Sequence, residues 1–131
     1  MLRVPSELPD DLEALIHSTI GCCITVHRAL GPGLLENIYS RAIGLELTAA
    51  GIAFEVEKDY PVTYRGQFLC HQRLDLVVDE QLVLEIKAVE HLNPVHHAQI
   101  LSYLRVSKKR AGLLINFNVA ILQHGIKRVV L

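Results

Sequence analysis

LVVDEQLVLEIKAVE (residues 76–90) reads as two apolar segments joined by a polar turn, and the second segment ends in two charges, Glu85 and Lys87. Burying a charged side chain without a partner costs several kcal/mol. A strand that served only the core would carry Val or Ile there. Residues two apart in a strand share a face, so Glu85 and Lys87 are co-facial and Ile86 faces away. With the turn centred on Glu80, Val78 stands opposite Leu82 and Asp75 opposite Glu85, at a β-carbon separation of about 5 Å. A slip of one residue would send Asp75 to the other face. In this register the hairpin gathers two carboxylates and an ammonium on one patch of sheet.

The neighbouring segments supply a fold for that hairpin. Residues 53–58, 61–65, 68–78 and 82–87 are β-type, with YRGQ (64–67) and VDEQ (78–81) as turns between the last three. Upstream, a helix is predicted from about Asp10 to Leu30, capped by Asp10 with Glu13 in the capping-box position. Leu12, Leu15, Ile16, Ile20, Cys23 and Leu30 form its inward stripe. GPG (31–33) breaks it, and a second helix runs from about Leu34 to Ala50, stopped by Gly51. Its predicted core stripe is Leu34, Leu35, Ile38, Ala42, Leu45 and Ala49. Glu36 lies in its first turn, where the helix dipole favours negative charge, and Tyr39 lies three residues on. Downstream, Asn93-Pro94 opens a third helix reaching about Val106. AGLLINF and IKRVVL close the chain as strands, the first apolar enough to be central. The expected fold is α/β, with a mixed central β-sheet flanked by helices.

Composition limits the function classes. At 131 residues the chain is expected to be a single domain spanning 1–131. Half of it is hydrophobic, yet no window approaches about eighteen uncharged apolar residues, so no membrane span is expected. MLRVPSELPDDLEALIHS lacks the apolar core and cleavage site of a secretory signal. Cys22, Cys23 and Cys70 are odd in number and lack zinc-ligand spacing, which points to reduced thiols in a cytoplasmic protein. The net charge of −1 argues against a protein that holds nucleic acid by overall charge. Basic residues are scattered apart from Lys108-Lys109-Arg110 and Lys127-Arg128, so any nucleic-acid binding is local, weak or shared with another subunit.

Two carboxylates held as close as Asp75 and Glu85 repel unless a cation lies between them, and Mg²⁺ or Mn²⁺ takes such oxygen ligands. A metal there polarises a phosphoryl oxygen and acidifies a bound water. A lysine beside it orients that water or stabilises developing negative charge. The plain structural alternative is a salt bridge between Glu85 and Lys87 at a strand end. On the third helix, Gln99 and Tyr103 are four apart and share a face, with His96 three residues before Gln99.

GLLENIY (33–39) has the pattern G-x-x-E-x-x-Y, RLDLVVDEQLVLEIKAV (73–89) contains D…E-x-K, and QILSY (99–103) is Q-x-x-x-Y. VHRALGPGLLE precedes them and GLLINF follows. Together they resemble the GxxExxY family of the PD-(D/E)xK nuclease superfamily, in its RecB-like branch, from about Ile16 to Val130. The resemblance implies a restriction-endonuclease-like core and Asp75 and Glu85 as ligands of Mg²⁺ or Mn²⁺, with the Ile86 carbonyl as a third. It implies Lys87 as the catalytic lysine, Gln99 and Tyr103 lining the site, and Glu36 reaching it from the second helix. DNA or RNA is the implied partner. Some RecB-like nucleases carry a metal-binding histidine on an N-terminal helix, a place that His27 matches; the ordinary reading of His27 is a satisfied residue at the edge of the core. His91, His96 and His97 have no partner cysteines in register for zinc, and Cys22-Cys23 is read as packing. The loop NVAILQHG departs from the family, where a glycine is expected directly after the phenylalanine.

Three functions compete at this stage. The first is a metal-dependent phosphodiester hydrolase acting on DNA or RNA. The second is a non-catalytic binding module that keeps the acidic pocket, and the third a hydrolase of small phosphorylated substrates. The apolar final strand also suggests a homodimer that covers an edge or helix face.

Overall fold

The computed structural model describes residues 7–131, so the reading of the N-terminal stretch falls partly on residues 1–6, outside the described region. Five strands, β1 (Phe54–Tyr64), β2 (Gln67–Val78), β3 (Leu82–Lys87), β4 (Ala111–Asn116) and β5 (Ile126–Val130), form one sheet in the order β1-β2-β3-β4-β5. Every neighbouring pair is antiparallel except β3 and β4, which run parallel and are connected through helix α3 (Pro94–Ser107). Helices α1 (Asp10–Leu30) and α2 (Glu36–Ala49) cover one face, packing with Leu76, Leu84, Ile86 and Leu113. Helix α3 covers the other, where Ile100 and Leu104 meet Val77, Val83 and Leu114. The fold is α/β with a mixed sheet, as a restriction-endonuclease-like core requires. Among the described residues no helix is long and apolar enough to cross a membrane.

All six residues of β4 are buried, in keeping with the apolar run from Ala111 to Ile115 and its place between β3 and β5. Asn93 caps α3 by accepting from the Val95 N–H at 3.1 Å, while His96 Nδ1 accepts from the Asn93 N–H at 3.2 Å. That reciprocal pair, with Pro94 in the first turn, fixes where the crossover helix starts. Arg65 and Gly66 both have positive φ, 51° and 76°, as a two-residue hairpin turn demands. β5 forms a sheet edge on which Val130 and the following Leu131 remain exposed.

Several sequence expectations are corrected. The predicted segments 53–58 and 61–65 are one strand, because β1 is an edge strand and tolerates Pro61, whose missing N–H costs an outer strand nothing. Asp10 does not cap α1: it is the first helical residue after Pro9, and no side chain caps that end. Glu13 instead pairs with Arg128 of β5 at 2.6 Å. Leu30 is exposed at the end of α1, and Thr19, Cys22 and Val26 join the buried face in its place.

Helix α2 is rotated from its predicted stripe. Tyr39, Ile43 and Leu47, at i, i+4 and i+8, are buried, whereas Leu35 and Leu45 are 72% and 75% exposed. Gly44 explains part of the rotation, since a β-carbon there would lie 3.1 Å from the Phe54 ring. Tyr39 explains the rest. Its ring stacks on Phe117 at 4.5 Å, and its hydroxyl donates to the Gly31 carbonyl at 2.6 Å and accepts from the Leu34 N–H at 3.1 Å. The α1–α2 turn, in which Gly33 has a φ of 102°, is thus pinned from inside.

Tyr39→Phe keeps the stacking and leaves both turn groups without their partner. It should lower the unfolding free energy by about 1–3 kcal/mol, read as a shift in the urea midpoint with an unchanged m-value.

Candidate active site

Strand β3 is buried from Leu82 to Ile86, and Glu85 lies within it with 5% of its surface exposed. The hairpin register is as the turn predicts, with Leu76 opposite Leu84, Val77 opposite Val83 and Val78 opposite Leu82. One step further the ladder ends. Asp75 does not pair backbone to backbone with Glu85; its Oδ2 accepts from the Ile86 N–H at 3.0 Å, so its side chain stands in for the missing ladder partner.

The same residue marks a bend in β2. Leu74 and Val77, three apart, pack in the same cluster against α3, so the strict two-residue alternation fails between them. Across the hairpin, Glu57 falls opposite Asp75, between the pairs Val56–Leu76 and Lys58–Leu74, and adopts a φ of 50° that non-glycine residues rarely take. The bend frees Asp75 from the sheet and turns its carboxylate to the end of β3.

Burial there has an electrostatic consequence. Removal from water, followed by the neighbouring Asp75 charge, pushes the Glu85 carboxyl up from its ordinary 4.5 to about 8, against the opposing pull of Lys87. Lys87 Nζ stands 3.7 Å from Glu85 Oε1, an ion pair with both side chains largely shielded. Glu85 Oε2 is buried and has no hydrogen-bond partner among the described residues. A central strand therefore carries a carboxylate that the protein alone satisfies only by half.

The backbone just after Glu85 is held from three sides. The Lys87 carbonyl accepts from the Phe117 N–H at 2.9 Å. Glu36 Oε1 accepts from the Ala88 N–H at 3.4 Å, which brings the N-terminal turn of α2 to the strand end. Asn116, buried at the end of β4, accepts from the Val89 N–H at 3.1 Å and donates to the Val89 carbonyl at 2.9 Å. Asn116 was absent from the sequence reading. The available signal was a single amide closing a wholly apolar strand, a place where a buried polar group needs partners.

On α3, Tyr103 is half-buried, and its hydroxyl pKa is raised by burial and then by the charges of Glu85 and Asp75. Gln99 shares that helical face and has a buried Oε1 with no partner among the described residues. His96 is occupied in the helix cap instead. His27 is buried, and its Nε2 donates to the Val119 carbonyl at 2.8 Å, so the reading as a satisfied residue applies. Cys22 and Cys23 are buried in the main core, as packing requires.

The donor set can be compared with the needs of a metal ion. Among the described residues no three His, Cys, Asp or Glu side chains come together to hold one. Two carboxylates do meet, one with an orphaned buried oxygen. Since a strand residue directs its N–H and C=O to the same neighbour, the Ile86 carbonyl lies on the Asp75 side, opposite the Lys87 carbonyl that bonds toward β4. An all-oxygen set of this kind, completed by water or substrate phosphate, fits Mg²⁺ or Mn²⁺.

Comparison with known families gives one result: residues 13–129 match the PD-(D/E)XK nuclease superfamily. Nucleases of this superfamily generally use divalent metal ions. No curated protein matches the chain.

The raised carboxyl makes the metal-free stability depend on pH. Between about 4.5 and about 8 the folded chain keeps a proton at Glu85 that the unfolded chain has released. This contribution is fully present below about 4.5 and is lost as pH rises through about 8, at up to about 1.4 kcal/mol per pH unit. In EDTA, the melting temperature of the wild type should therefore fall more steeply across this window than that of Glu85→Gln. Parallel pH profiles for the two proteins would contradict the shift.

Proposed function

Because the chain belongs to the PD-(D/E)XK nuclease superfamily, we propose that it is a metal-dependent phosphodiester hydrolase acting on DNA or RNA. The observation that carries this reading is the half-satisfied Glu85 carboxylate, buried between Asp75 and Lys87. A strand built for packing alone has no reason to keep it. In this reading Asp75, Glu85 and the Ile86 carbonyl hold Mg²⁺ or Mn²⁺. When bound, the ion polarises the scissile phosphate and makes a water more acidic.

The chain's own groups do the rest. The Lys87 ammonium orients the attacking water and stabilises negative charge developing on the phosphate oxygens. Its position is preset, because the carbonyl of the same residue is fixed by Phe117 and the next two amides by Glu36 and Asn116. Gln99 and Tyr103 line the α3 side, where a free amide oxygen and a phenol hold water or substrate. Glu36 guards the opposite side from α2. The match of GLLENIY to the GxxExxY family, and of the Gln99–Tyr103 pair to the RecB-like branch, supports the same assignment. The geometry also gives the GxxExxY motif a rationale: Gly33 makes the turn, Tyr39 locks it and Glu36 reaches the strand end.

The test is cleavage of single- and double-stranded DNA and RNA in Mg²⁺ or Mn²⁺. Lys87→Ala and Asp75→Ala should each lower the rate by about 10²–10³-fold or more, with circular dichroism unchanged. Activity that survives in both variants would remove these residues from the chemistry. Calorimetric metal binding without cleavage of any nucleic acid would favour the small-substrate hydrolase, and absence of both would favour the binding module.

A further inference from the structure

A cleft of about 420 Å³ opens from Asp75 and Glu36 along helix α2 to Val56 and Glu57 of β1, a size in the range of ligand-binding clefts. Its helical wall carries Asn37, Ser40 and Arg41. These lie at i, i+3 and i+4 and so project on one side. The opposite wall includes Val56, 55% exposed although apolar, and Glu57 with its left-handed backbone.

The cleft is unevenly matched in charge. Glu36 accepts from the Ala88 N–H, Asp75 from the Ile86 N–H, and Glu57 lies 3.8 Å from the Arg73 guanidinium. Arg41 faces the same cleft, yet among the described residues its side chain makes no ion pair or hydrogen bond. A lone exposed arginine on a helix is ordinarily just solvated. This one shares a cleft with Asp75, one of the proposed metal ligands, next to an amide and a hydroxyl donor and facing an exposed apolar side chain. It lies five positions beyond Glu36, about 7.5 Å along the helix axis. That is roughly one internucleotide step in an extended strand.

We propose that this cleft seats the nucleic-acid strand beside the cleavage point, with Arg41 binding the phosphate next to the scissile one. Asn37 and Ser40 donate to the same backbone segment, and Val56 packs against a sugar or base. The inference rests on the nuclease reading and adds to it the direction in which the strand leaves the metal site, along α2 and away from α3. The guanidinium fork suits a phosphate better than a lysine would. The carboxylates of the cleft repel the strand unless a divalent ion offsets them, so binding requires the metal as well.

The experiment uses fluorescein-labelled single-stranded DNA and RNA oligonucleotides, followed by anisotropy over a salt series in Mg²⁺. It is done in the Lys87→Ala background to stop turnover, with wild-type cleavage assayed in parallel. Adding Arg41→Ala should weaken binding about tenfold and lower the salt slope by about 1, with calorimetric Mg²⁺ affinity unchanged. Arg41→Lys should restore the slope, and Asn37→Ala should weaken binding without changing it. EDTA should abolish binding in all of them. Affinity and slope unaffected by Arg41→Ala would overturn the strand seat, and so would a loss confined to kcat; wild-type cleavage would leave the nuclease reading intact in either case. A wild type that cleaves neither nucleic acid would overturn both.

Discussion

The carboxylate of Glu85 is the constraint around which the rest of the structure is arranged. It sits on a strand buried from Leu82 to Ile86, where removal from water and then the Asp75 charge push its pKa up to about 8, and one of its oxygens has no partner among the described residues. An interior selected for stability alone would replace it with an apolar residue of similar volume. The protein instead retains it and brings Lys87 and Asp75 to it, one attractive and one repulsive. In the function proposed above, a divalent cation held between the two carboxylates offsets the cost of the second one.

The arrangement depends on where the chain stops behaving as a regular sheet. β3 and β4 are parallel, and their last paired residues are Lys87 and Asn116. At the carboxyl ends of parallel strands the ladder runs out and backbone groups become available, which is why α/β proteins place ligands there. In this protein those groups are taken by Asn116, Glu36 and the Phe117 N–H, each fixing the segment that carries Lys87. Phe117 in turn stacks on Tyr39, whose hydroxyl locks the turn from which Glu36 starts. The motif residues of α2 and the lysine of β3 are thereby parts of one mechanical unit, although they are about fifty residues apart in the chain.

The hairpin was readable because its register follows from turn length, and turn length can be counted in the sequence. β4 was readable because a continuous apolar run needs two covered faces. The rotation of α2 was not. Leu34, Leu35, Ile38 and Leu45 offer a stripe at helical spacing as good as the one the fold uses. Only the fit of Tyr39 to Phe117, and of Gly44 to Phe54, decides between them. Periodicity records that a helix has an apolar face and cannot weigh two such faces against neighbours from distant segments.

The sequence by itself determined the succession of helices and strands, apart from the division of β1 into two, and the hairpin register, because these depend on local spacing. The tertiary structure alone decided that Asp75 meets Ile86 through its side chain, that His27 is committed to Val119, and that Asn116 holds the exit of β3. Each of those is a contact between segments whose separation in the chain says nothing of their distance in space. Hydrogen bonds between them form only once packing has set the bend of β2 and the approach of the loop after β4.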